Sequence, residues 1–259
     1  MNDTPALTVK SGNSSVKLVL CDIDGCLNSG FSAPLDLPSL ICITAQISRL
    51  RDQSTVVTLC TGRPPAYAQA IGQALGITAH MIVENGAALF DPLTGQYEPL
   101  SSPSDRSALD KFSATLMKHP EWSQRLRQEV GKQACLSLNG PEISYRSPTK
   151  IRALMEQLQA LPDAERFDWS YSTSAIDITP KGISKAFGAQ HLLDAMQLTW
   201  GQVAAIGDSN NDLPVLKRAI MGLCPANADA EVRKYATFTS SKPYAEGVTQ
   251  LLNFVEEGM

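Results

Sequence analysis

The sequence predicts an α/β protein with a parallel-sheet core and a second, α+β module inserted into that core. Short apolar runs alternate with helical patterns in the first third of the chain. This alternation stops for a long middle stretch and resumes toward the end of the chain. Because parallel strands need a crossover connection, such alternation is typical of a sheet covered by helices on both faces. The interruption indicates a separate module, called the cap below.

The first part of the chain predicts a β-α-β-α-β unit. Its elements are a strand at Val16 to Cys21, a helix from about Pro38 to Asp52, a strand at Thr55 to Cys60, a helix around Ala66 to Leu75 and a strand at Met81 to Val83. The strands are continuous apolar runs, as expected for strands buried on both faces. The first helix carries apolar residues at spacings of three and four. We therefore expect three parallel strands joined by right-handed crossovers.

The middle stretch, residues 88–177, mixes helical patterns with short alternating strands. It begins with a hairpin-like segment at Ala88 to Phe90. The further expected elements are helices near 104–118, 122–131 and 149–160 and strands at Cys135 to Leu138, Ile143 to Tyr145, Phe167 to Tyr171 and Ala175 to Ile178. The sequence therefore predicts a cap over 88–177 and a core over 1–87 and 178–259, with residues 1–15 as a loose arm.

The β/α pattern resumes after the cap. The expected order is a helix at Ile183 to Met196, a strand at Val203 to Ile206, a helix at Asn211 to Ala219 and a strand at Ile220 to Leu223. Later elements lead to a helix that ends near Val255.

Composition excludes several classes of protein. The chain has 22 Lys and Arg against 26 Asp and Glu, a net charge of -4, which argues against the basic surface of a nucleic-acid-binding protein. No apolar stretch approaches the ~20 residues that a membrane-spanning helix needs. The six cysteines and three histidines are dispersed, so local spacing assembles no zinc site. We expect reduced thiols and a cytoplasmic protein that binds neither nucleic acid nor membrane.

Polar residues follow the ends of the apolar strands. In open parallel sheets, ligands bind at the carboxyl ends of strands. The residues expected there are Asp22, Asp24, Thr61, Gly62, Asn85, Asp208 and Asp212. Two carboxylates two residues apart suit a nucleophile and a proton donor, and a cluster of carboxylates needs a hard cation such as Mg²⁺. The Thr61 hydroxyl and the Gly62 N–H suit phosphate oxygens.

These motifs resemble those of the haloacid dehalogenase (HAD) superfamily of aspartate-nucleophile phosphatases. The matching segments are Asp22-Ile23-Asp24-Gly25-Cys26-Leu27, Thr61-Gly62-Arg63, Asn85-Gly86-Ala87 and Gly207 to Asp212. The likeness is closest to the Cof-like branch, which has a Rossmann-like core and a C2-type α/β cap. The chain also resembles three kinds of phosphatase in particular: sucrose-phosphate, mannosyl-3-phosphoglycerate and phosphoglycolate phosphatases. The resemblance covers nearly everything after Val16.

The resemblance implies a role for each motif residue. Asp22 would be the nucleophile and Asp24 the general acid and base. Mg²⁺ would be bound by Asp22, the Asp24 carbonyl and Asp208, with Asp212 in support. Thr61, Gly62, a lysine and Asn211 would bind the phosphate.

The family pattern around the lysine matches Asp177 to Lys185 and selects Lys185 over Lys181. Two residues depart from the family: Cys26 replaces the usual Thr, and Ala186 replaces a Gly that often follows the lysine. Neither position supplies a nucleophile, a proton or a metal ligand.

The predicted activity is Mg²⁺-dependent hydrolysis of a small phosphorylated metabolite, a sugar phosphate or a small phosphorylated acid, through an aspartyl-phosphate. Two alternatives stay open: a phosphotransferase of the phosphomannomutase type, which shares the first half-reaction, and a non-catalytic sugar-phosphate-binding module. The sequence assigns no oligomeric state. Cap side chains within possible reach of a substrate are Arg106, Arg125, Arg127, Tyr145, Arg146, Tyr171 and Ser172.

Overall fold

The computed structural model describes residues 16–30, 33–141, 143, 148–172 and 175–258. The arm predicted at 1–15 lies outside these residues. So does most of the strand predicted at Ile143 to Tyr145, of which only Ile143 is described, in a turn.

The described residues form strands and helices in the following order. The strands are β1 (Leu18–Cys21), β2 (Val56–Leu59), β3 (Met81–Val83), β4 (Ala88–Phe90), β5 (Tyr97–Pro99), β6 (Arg127–Gln128), β7 (Leu136–Asn139), β8 (Phe167–Tyr171), β9 (Ile176–Pro180), β10 (Val203–Ile206), β11 (Met221–Cys224) and β12 (Phe238–Thr239). The helices are α1 (Leu37–Asp52), α2 (Pro65–Leu75), α3 (Pro103–Lys118), α4 (Pro120–Arg125), α5 (Pro148–Gln159), α6 (Lys185–Met196), α7 (Leu213–Leu216), α8 (Ala230–Arg233) and α9 (Tyr244–Glu257).

A five-stranded parallel sheet forms the core, which confirms the predicted fold class. Its strand order is β12-β11-β10-β1-β2, and every neighbouring pair is parallel. The strand β1 lies between β10 and β2, so the segments that follow these three strands emerge side by side at one edge. Two apolar clusters cover the two faces of the sheet, one packed with α1, α2 and α9 and the other with α6 and α7.

The third predicted strand does not continue the ladder of the parallel sheet. The strand β3 pairs antiparallel with β4, and β4 pairs with β5. Its parallel contact with the core is a single bridge between Cys60 and Ile82, extended by the Thr61 N–H donating to the Ile82 carbonyl. The reason is the sharp turn at residues 84–86, which folds β4 back onto β3 and leaves β3 to pair mainly within the hairpin.

The cap contains an antiparallel sheet of order β6-β7-β9-β8, packed on an apolar cluster contributed by α3, α4 and α5. The helix expected over 122–131 is wrong beyond Arg125: α4 ends there and β6 follows, because Arg127 and Gln128 pair with β7. The helix expected at Asn211 to Ala219 is shorter as well, a 3₁₀ turn at Asn210–Asp212 followed by α7.

The cap limits at 88 and 177 stay a prediction. The strand β4 begins at 88 yet pairs with β3 of the preceding segment, and β9 runs through 177 without a break.

The buried position of Leu18 in β1 gives a test of the central sheet. Leu18 is fully buried in the cluster under α6. We expect Leu18→Ala to lower the free energy of unfolding by about 2–5 kcal/mol, because it removes buried methyl groups and leaves a cavity. Leu93→Ala, at a side chain that is 72% exposed, should change it by less than about 0.5 kcal/mol. Urea denaturation followed by circular dichroism measures both, and equal effects would contradict the described burial.

Candidate active site

Lys185 is the cation around which the candidate site is built. It is the first residue of α6, whose N-cap Ser184 accepts from the Phe187 N–H, and it is 1% exposed. Its Nζ lies 2.9 Å from Asp22 Oδ1 and 2.6 Å from Asp212 Oδ1. The structure therefore brings together three residues from three distant parts of the sequence. Lys181, the other candidate, is exposed and pairs with Asp168.

Asp208 differs from Asp212 in what its oxygens contact. Asp212 Oδ2 accepts the N–H groups of Asp208 and Ser209, and its Oδ1 accepts from Lys185. Both oxygens of Asp208 are buried and have no hydrogen-bond partner among the described residues. Carboxylate oxygens of Asp22, Asp208 and Asp212 all lie within 4.8 Å of one another. An unpartnered buried carboxylate in such a cluster fits a hard cation with oxygen ligands.

The backbone of Gly25 makes room for Asp208. A Cβ at residue 25 would lie 2.0 Å from Asp208 Oδ2, and the residue has φ +82°, a conformation that favours glycine. The Asp-Gly pair of the first motif therefore lets the Asp208 carboxylate approach the turn after β1. Cys26, the departure from the family pattern, is fully buried in the neighbouring core cluster, and Ala186 is buried on α6.

The acidic cluster carries more negative charge than Lys185 offsets. Burial raises the pKa of Asp22 to about 7, with Lys185 acting in the opposite direction and Asp212 adding to the rise. Burial, and then the Asp212 and Asp22 carboxylates, raise the pKa of Asp208 well above its ordinary value. For Lys185, burial opposes the charge, but Asp212 and Asp22 hold its pKa above the usual range. A second positive charge in the cluster would favour ionised carboxylates.

Asp24 is turned toward Arg63. The guanidinium donates from Nε to Asp24 Oδ2 at 2.6 Å and from Nη2 to Asp24 Oδ1 at 2.7 Å, and Asn28 also donates to Oδ1. Arg63 is buried and stacks over the Tyr67 ring. Sequence reasoning gave Arg63 no role, although it is the third residue of the Thr-Gly-Arg motif. A planar, two-pronged contact of this kind fixes the orientation of the carboxylate.

The expected phosphate-binding residues lie beside the turn after β3. The Thr61 hydroxyl accepts from the Arg63 N–H, and a Cβ at Gly62 would lie 2.9 Å from Asn85 Nδ2. Asn211 Nδ2 donates to Asn85 Oδ1. Asn85 Nδ2 is a buried donor without a partner among the described residues. The sequence predicts that Asn211 binds phosphate. In the structure the Asn211 amide donates to Asn85, and Asn85 has the amide N–H that is free for a ligand.

The segment Glu84-Asn85-Gly86 has positive φ at all three residues, +51°, +57° and +86°. Because of this turn, the side chains of Glu84 and Asn85 point in different directions. The Glu84 carboxylate faces the cap and accepts the N–H groups of Gln133, Ala134 and Cys135 at 2.9, 2.7 and 3.1 Å, together with the Tyr97 hydroxyl. At Gly86 the carbonyl of Ser184 approaches so closely that a Cβ would lie 1.9 Å from it. Sequence reasoning missed Glu84 because its partners are in the cap.

Cap residues contact the core next to Asp24. Glu129 Oε1 lies 3.2 Å from Arg63 Nη1, and its Oε2 lies 2.9 Å from Lys132 Nζ. Lys132 is almost fully buried and also faces Asp177 and the Ser137 hydroxyl. The small cavity beside these groups measures about 20 Å³ and is lined by Asp22, Asp24, Gly62, Arg63, Glu129, Lys132, Ser172, Ala175, Asp177 and Asn211.

A wider cleft of about 420 Å³ lies next to this cavity. It reaches Asn85, Lys185 and Asn211 from the side of cap strand β8 and helix α7. Asp22, Asp24 and Asp208 do not line it.

The cap side chains predicted to lie near substrate have different positions. Ser172 lines the small cavity, and Tyr171 is buried in the cap cluster. Three arginines contact cap groups instead: Arg106 the Ser101 carbonyl, Arg125 the Glu121 carboxylate and Trp122 ring, and Arg127 the carbonyls of Ser123 in α4 and of Leu126. Tyr145 and Arg146 lie outside the described residues.

Comparisons with known proteins point to one family. The sequence model of the haloacid dehalogenase-like hydrolases matches residues 19–124 and 134–252. A phosphoglycolate phosphatase of Thermoplasma volcanium is 25% identical over 92% of this chain and 97% of its own length. One from Aeropyrum pernix is 26% identical over 94% and 95%.

Solved structures share the fold. A Thermoplasma acidophilum protein superposes with a TM-score of 0.70 at 22% identity, over 93% of this chain and 98% of its own. A haloacid dehalogenase-like hydrolase from B. subtilis has a TM-score of 0.70 at 16% identity, over 92% and 99%.

The contact of Glu84 with the cap gives a test of how the cap is held. We expect Glu84→Ala to lower the free energy of unfolding by about 2–3 kcal/mol, because two buried N–H groups and one partly buried N–H group lose their acceptor at about 1 kcal/mol each. Hydrogen exchange at Gln133, Ala134 and Cys135 should accelerate in the same variant. Glu98→Ala, at an exposed position on β5, is the matched control and should do neither. Unchanged exchange at the three amides would contradict the anchoring role.

Proposed function

The chain belongs to the haloacid dehalogenase-like hydrolases, and on this premise we propose that it is a Mg²⁺-dependent phosphatase of a small phosphorylated acid that works through an aspartyl-phosphate. The observation that carries the proposal is the position of Asp22. This residue follows β1, contacts the buried Lys185 and lies next to Asp208, whose carboxylate has no partner among the described residues.

The metal would be held by Asp22 and Asp208, with the Asp24 carbonyl as a further ligand and Asp212 in support. Asp212 supports rather than binds, because its oxygens already accept from Lys185 and two backbone N–H groups. When bound, Mg²⁺ supplies positive charge that offsets the charge on the phosphoryl oxygens and on the ligand carboxylates.

In the first step, a carboxylate oxygen of Asp22 attacks the phosphorus, and the bond from phosphorus to the ester oxygen breaks. Asp24 gives its proton to the departing alkoxide. Because Arg63 holds both Asp24 oxygens, one of them must turn from the guanidinium to the ester oxygen. Lys185, Thr61, the Gly62 N–H and the Asn85 and Asn211 amides surround the phosphoryl oxygens and stabilise their charge.

In the second step, Asp24 takes a proton from a water molecule, which attacks the phosphorus of the aspartyl-phosphate. The bond from phosphorus to Asp22 breaks, inorganic phosphate forms and Asp22 is restored. The cap loop with Glu129 and Lys132 shields this step from bulk water.

A small acid is favoured over a sugar as the leaving group. Curated relatives aligned over nearly the whole chain carry the name phosphoglycolate phosphatase. Asp24 must reach the leaving group. Asp24 lines the small cavity together with the cations Arg63 and Lys132, which suit a carboxylate, and it does not line the cleft of about 420 Å³. A sugar phosphate, the other expectation from the sequence, is supported by the size of that cleft. Phosphate release from a panel of both compound classes separates them.

The two other readings predict different behaviour. A phosphotransferase of the phosphomannomutase type would move the phosphate to a second site rather than release it in stoichiometric amount. A non-catalytic binding module would tolerate loss of the nucleophile, yet Asp22, Asp24, Lys185 and Asp208 are all present and clustered.

The proposal includes a cytoplasmic location, since all six cysteines are free thiols, as is typical of a reducing compartment. No helix among the described residues is long and apolar enough to span a membrane.

The nucleophile is tested by Asp22→Asn. We expect turnover of an aryl phosphate with Mg²⁺ to fall by roughly 1000-fold or more, because the amide cannot form the covalent intermediate. Phosphate release measures this. Asp52→Asn, at an exposed carboxylate at the end of α1, is the control and should keep its activity. Retained turnover in Asp22→Asn would exclude the assignment.

Metal binding is tested without turnover. We expect MgCl₂ at 100 times its dissociation constant to stabilise the wild type by about 2.7 kcal/mol. Asp208→Asn should lose this gain and, in EDTA, unfold at a higher temperature than the wild type, because the amide adds no buried negative charge. Differential scanning calorimetry measures both effects. A full Mg²⁺ effect in Asp208→Asn would contradict the site, and Asp52→Asn should behave as the wild type does.

A further inference from the structure

Glu129 is a cap carboxylate that bridges two buried cations. It lies between Arg63 of the core and Lys132 of the cap, at 3.2 and 2.9 Å, and its side chain is 13% exposed. The side chains of both cations are less than one-tenth exposed. Burying two cations side by side is costly unless an anion lies with them. Glu129 supplies that anion from the loop after β6.

The cavity beside this bridge is too small for a substrate. Its volume of about 20 Å³ is about that of a single water site. Among the described residues, its lining holds the carboxylates of Asp22, Asp24, Glu129 and Asp177 and the cations Arg63 and Lys132, and Lys185 also contacts Asp22. An anionic substrate can enter only if a cap group moves out, and Glu129 is the cap carboxylate that contacts the core.

The position of Glu129 corresponds to the leaving-group side of the reaction. Arg63 contacts Asp24 through Nε and Nη2 and contacts Glu129 through Nη1. Asp24, which protonates the ester oxygen in the proposed reaction, and Glu129 of the cap therefore contact the same guanidinium. Whatever is attached to the ester oxygen next to Asp24 must come close to the place that Glu129 occupies.

The loop that carries Lys132 is fixed in position. Glu84 binds the three N–H groups that follow Lys132, and Ala134 and Cys135 pack on Ala87 and Ile183 of the core. Asp177 and Ser137 hold the lysine from the cap sheet. At the tip of the same loop Val130 is 88% exposed, and Gly131 has φ +90°. Lys132 is thus anchored. The Glu129 N–H donates to the Ser137 carbonyl, so a movement of Glu129 is confined to its side chain, which lies beside the exposed tip.

We propose that Glu129 is a resident anion that a carboxylate of the substrate replaces, so that Lys132 and Arg63 select esters whose leaving group carries a carboxylate next to the ester carbon. This inference rests on the proposed phosphatase function and names the residues that set its specificity. On replacement, the substrate carboxylate accepts from Lys132 Nζ and Arg63 Nη1, and Glu129 moves toward solvent at the loop tip. No covalent bond changes in this exchange.

A purely structural ion pair would behave differently. If Glu129 and Lys132 served only to hold the cap, removing either charge would weaken all substrates alike. If Glu129 competes with the substrate carboxylate, removing the two charges has opposite effects on selectivity. That selectivity is measured by the ratio of kcat/KM for phosphoglycolate to kcat/KM for 2-hydroxyethyl phosphate, in which a neutral hydroxymethyl group replaces the carboxylate.

We expect Lys132→Met to lower this ratio by roughly 10- to 100-fold, the value of a hydrogen bond between charged groups. Lys132→Arg, which keeps the charge, should restore most of the ratio. Glu129→Gln should raise the ratio by several-fold, because it removes the competing anion and leaves both cations in place. Lys181→Met and Glu121→Gln are matched controls at exposed ion pairs and should leave the ratio unchanged.

A binding measurement makes the test independent of turnover. Calorimetry with Mg²⁺ compares 3-phosphonopropionate, a non-hydrolysable analogue that carries the carboxylate, with propylphosphonate, which lacks it. The preference for the acid should fall in Lys132→Met and rise in Glu129→Gln. An unchanged preference in folded Lys132→Met, or a lower one in Glu129→Gln, would overturn the inference. If the wild type releases no phosphate from any ester, it is the proposed function that fails, and the binding preference still decides the role of the two residues.

Discussion

The burial of Lys185 between Asp22 and Asp212 is the constraint on which the rest of the site depends. Three carboxylates come within 4.8 Å of one another at the edge of the parallel sheet, and their mutual repulsion would separate them without a cation. Lys185 enters from the first turn of α6, which packs so closely on the turn after β3 that a Cβ at Gly188 would lie 2.7 Å from Gly86 Cα. Asp22, the acidic loop after β10 and the turn after β3 are therefore placed relative to one helix. Lys185 leaves the Asp208 carboxylate without a partner among the described residues, which is the feature that fits a cation.

The turn at Glu84, Asn85 and Gly86 joins this cluster to the cap. Two non-glycine residues adopt a left-handed backbone there, a conformation that costs free energy and that the surrounding contacts must offset. Asn85 accepts from Asn211, while Glu84 binds the cap loop through three backbone N–H groups. Two consecutive residues therefore connect the loop after β10 to the cap loop. The same cap loop carries Lys132, which lines the small cavity together with Asp24.

Arg63 makes the corresponding connection on the other side of the catalytic centre. Its guanidinium holds Asp24 with two nitrogens and Glu129 of the cap with the third. Asp24 and the cap carboxylate are therefore held by the same guanidinium, which also packs on the Tyr67 ring. In the proposed function, this shared contact would link the orientation of Asp24 to the group that occupies the cap side of Arg63.

The sequence by itself determined the fold class and the residues at the strand ends. The apolar runs of β1, β2 and β10 and the polar segments after them are local patterns, and parallel strands necessarily bring such segments to one edge. The limits of α4 and the pairing of β3 were not determined locally, since both depend on which strand lies alongside. Only the tertiary structure decided that Asp24 faces Arg63, that Glu84 holds the cap loop and that Glu129 and Lys132 close the cavity. These contacts join residues tens of positions apart, and their charges have meaning only once burial has removed water from around them.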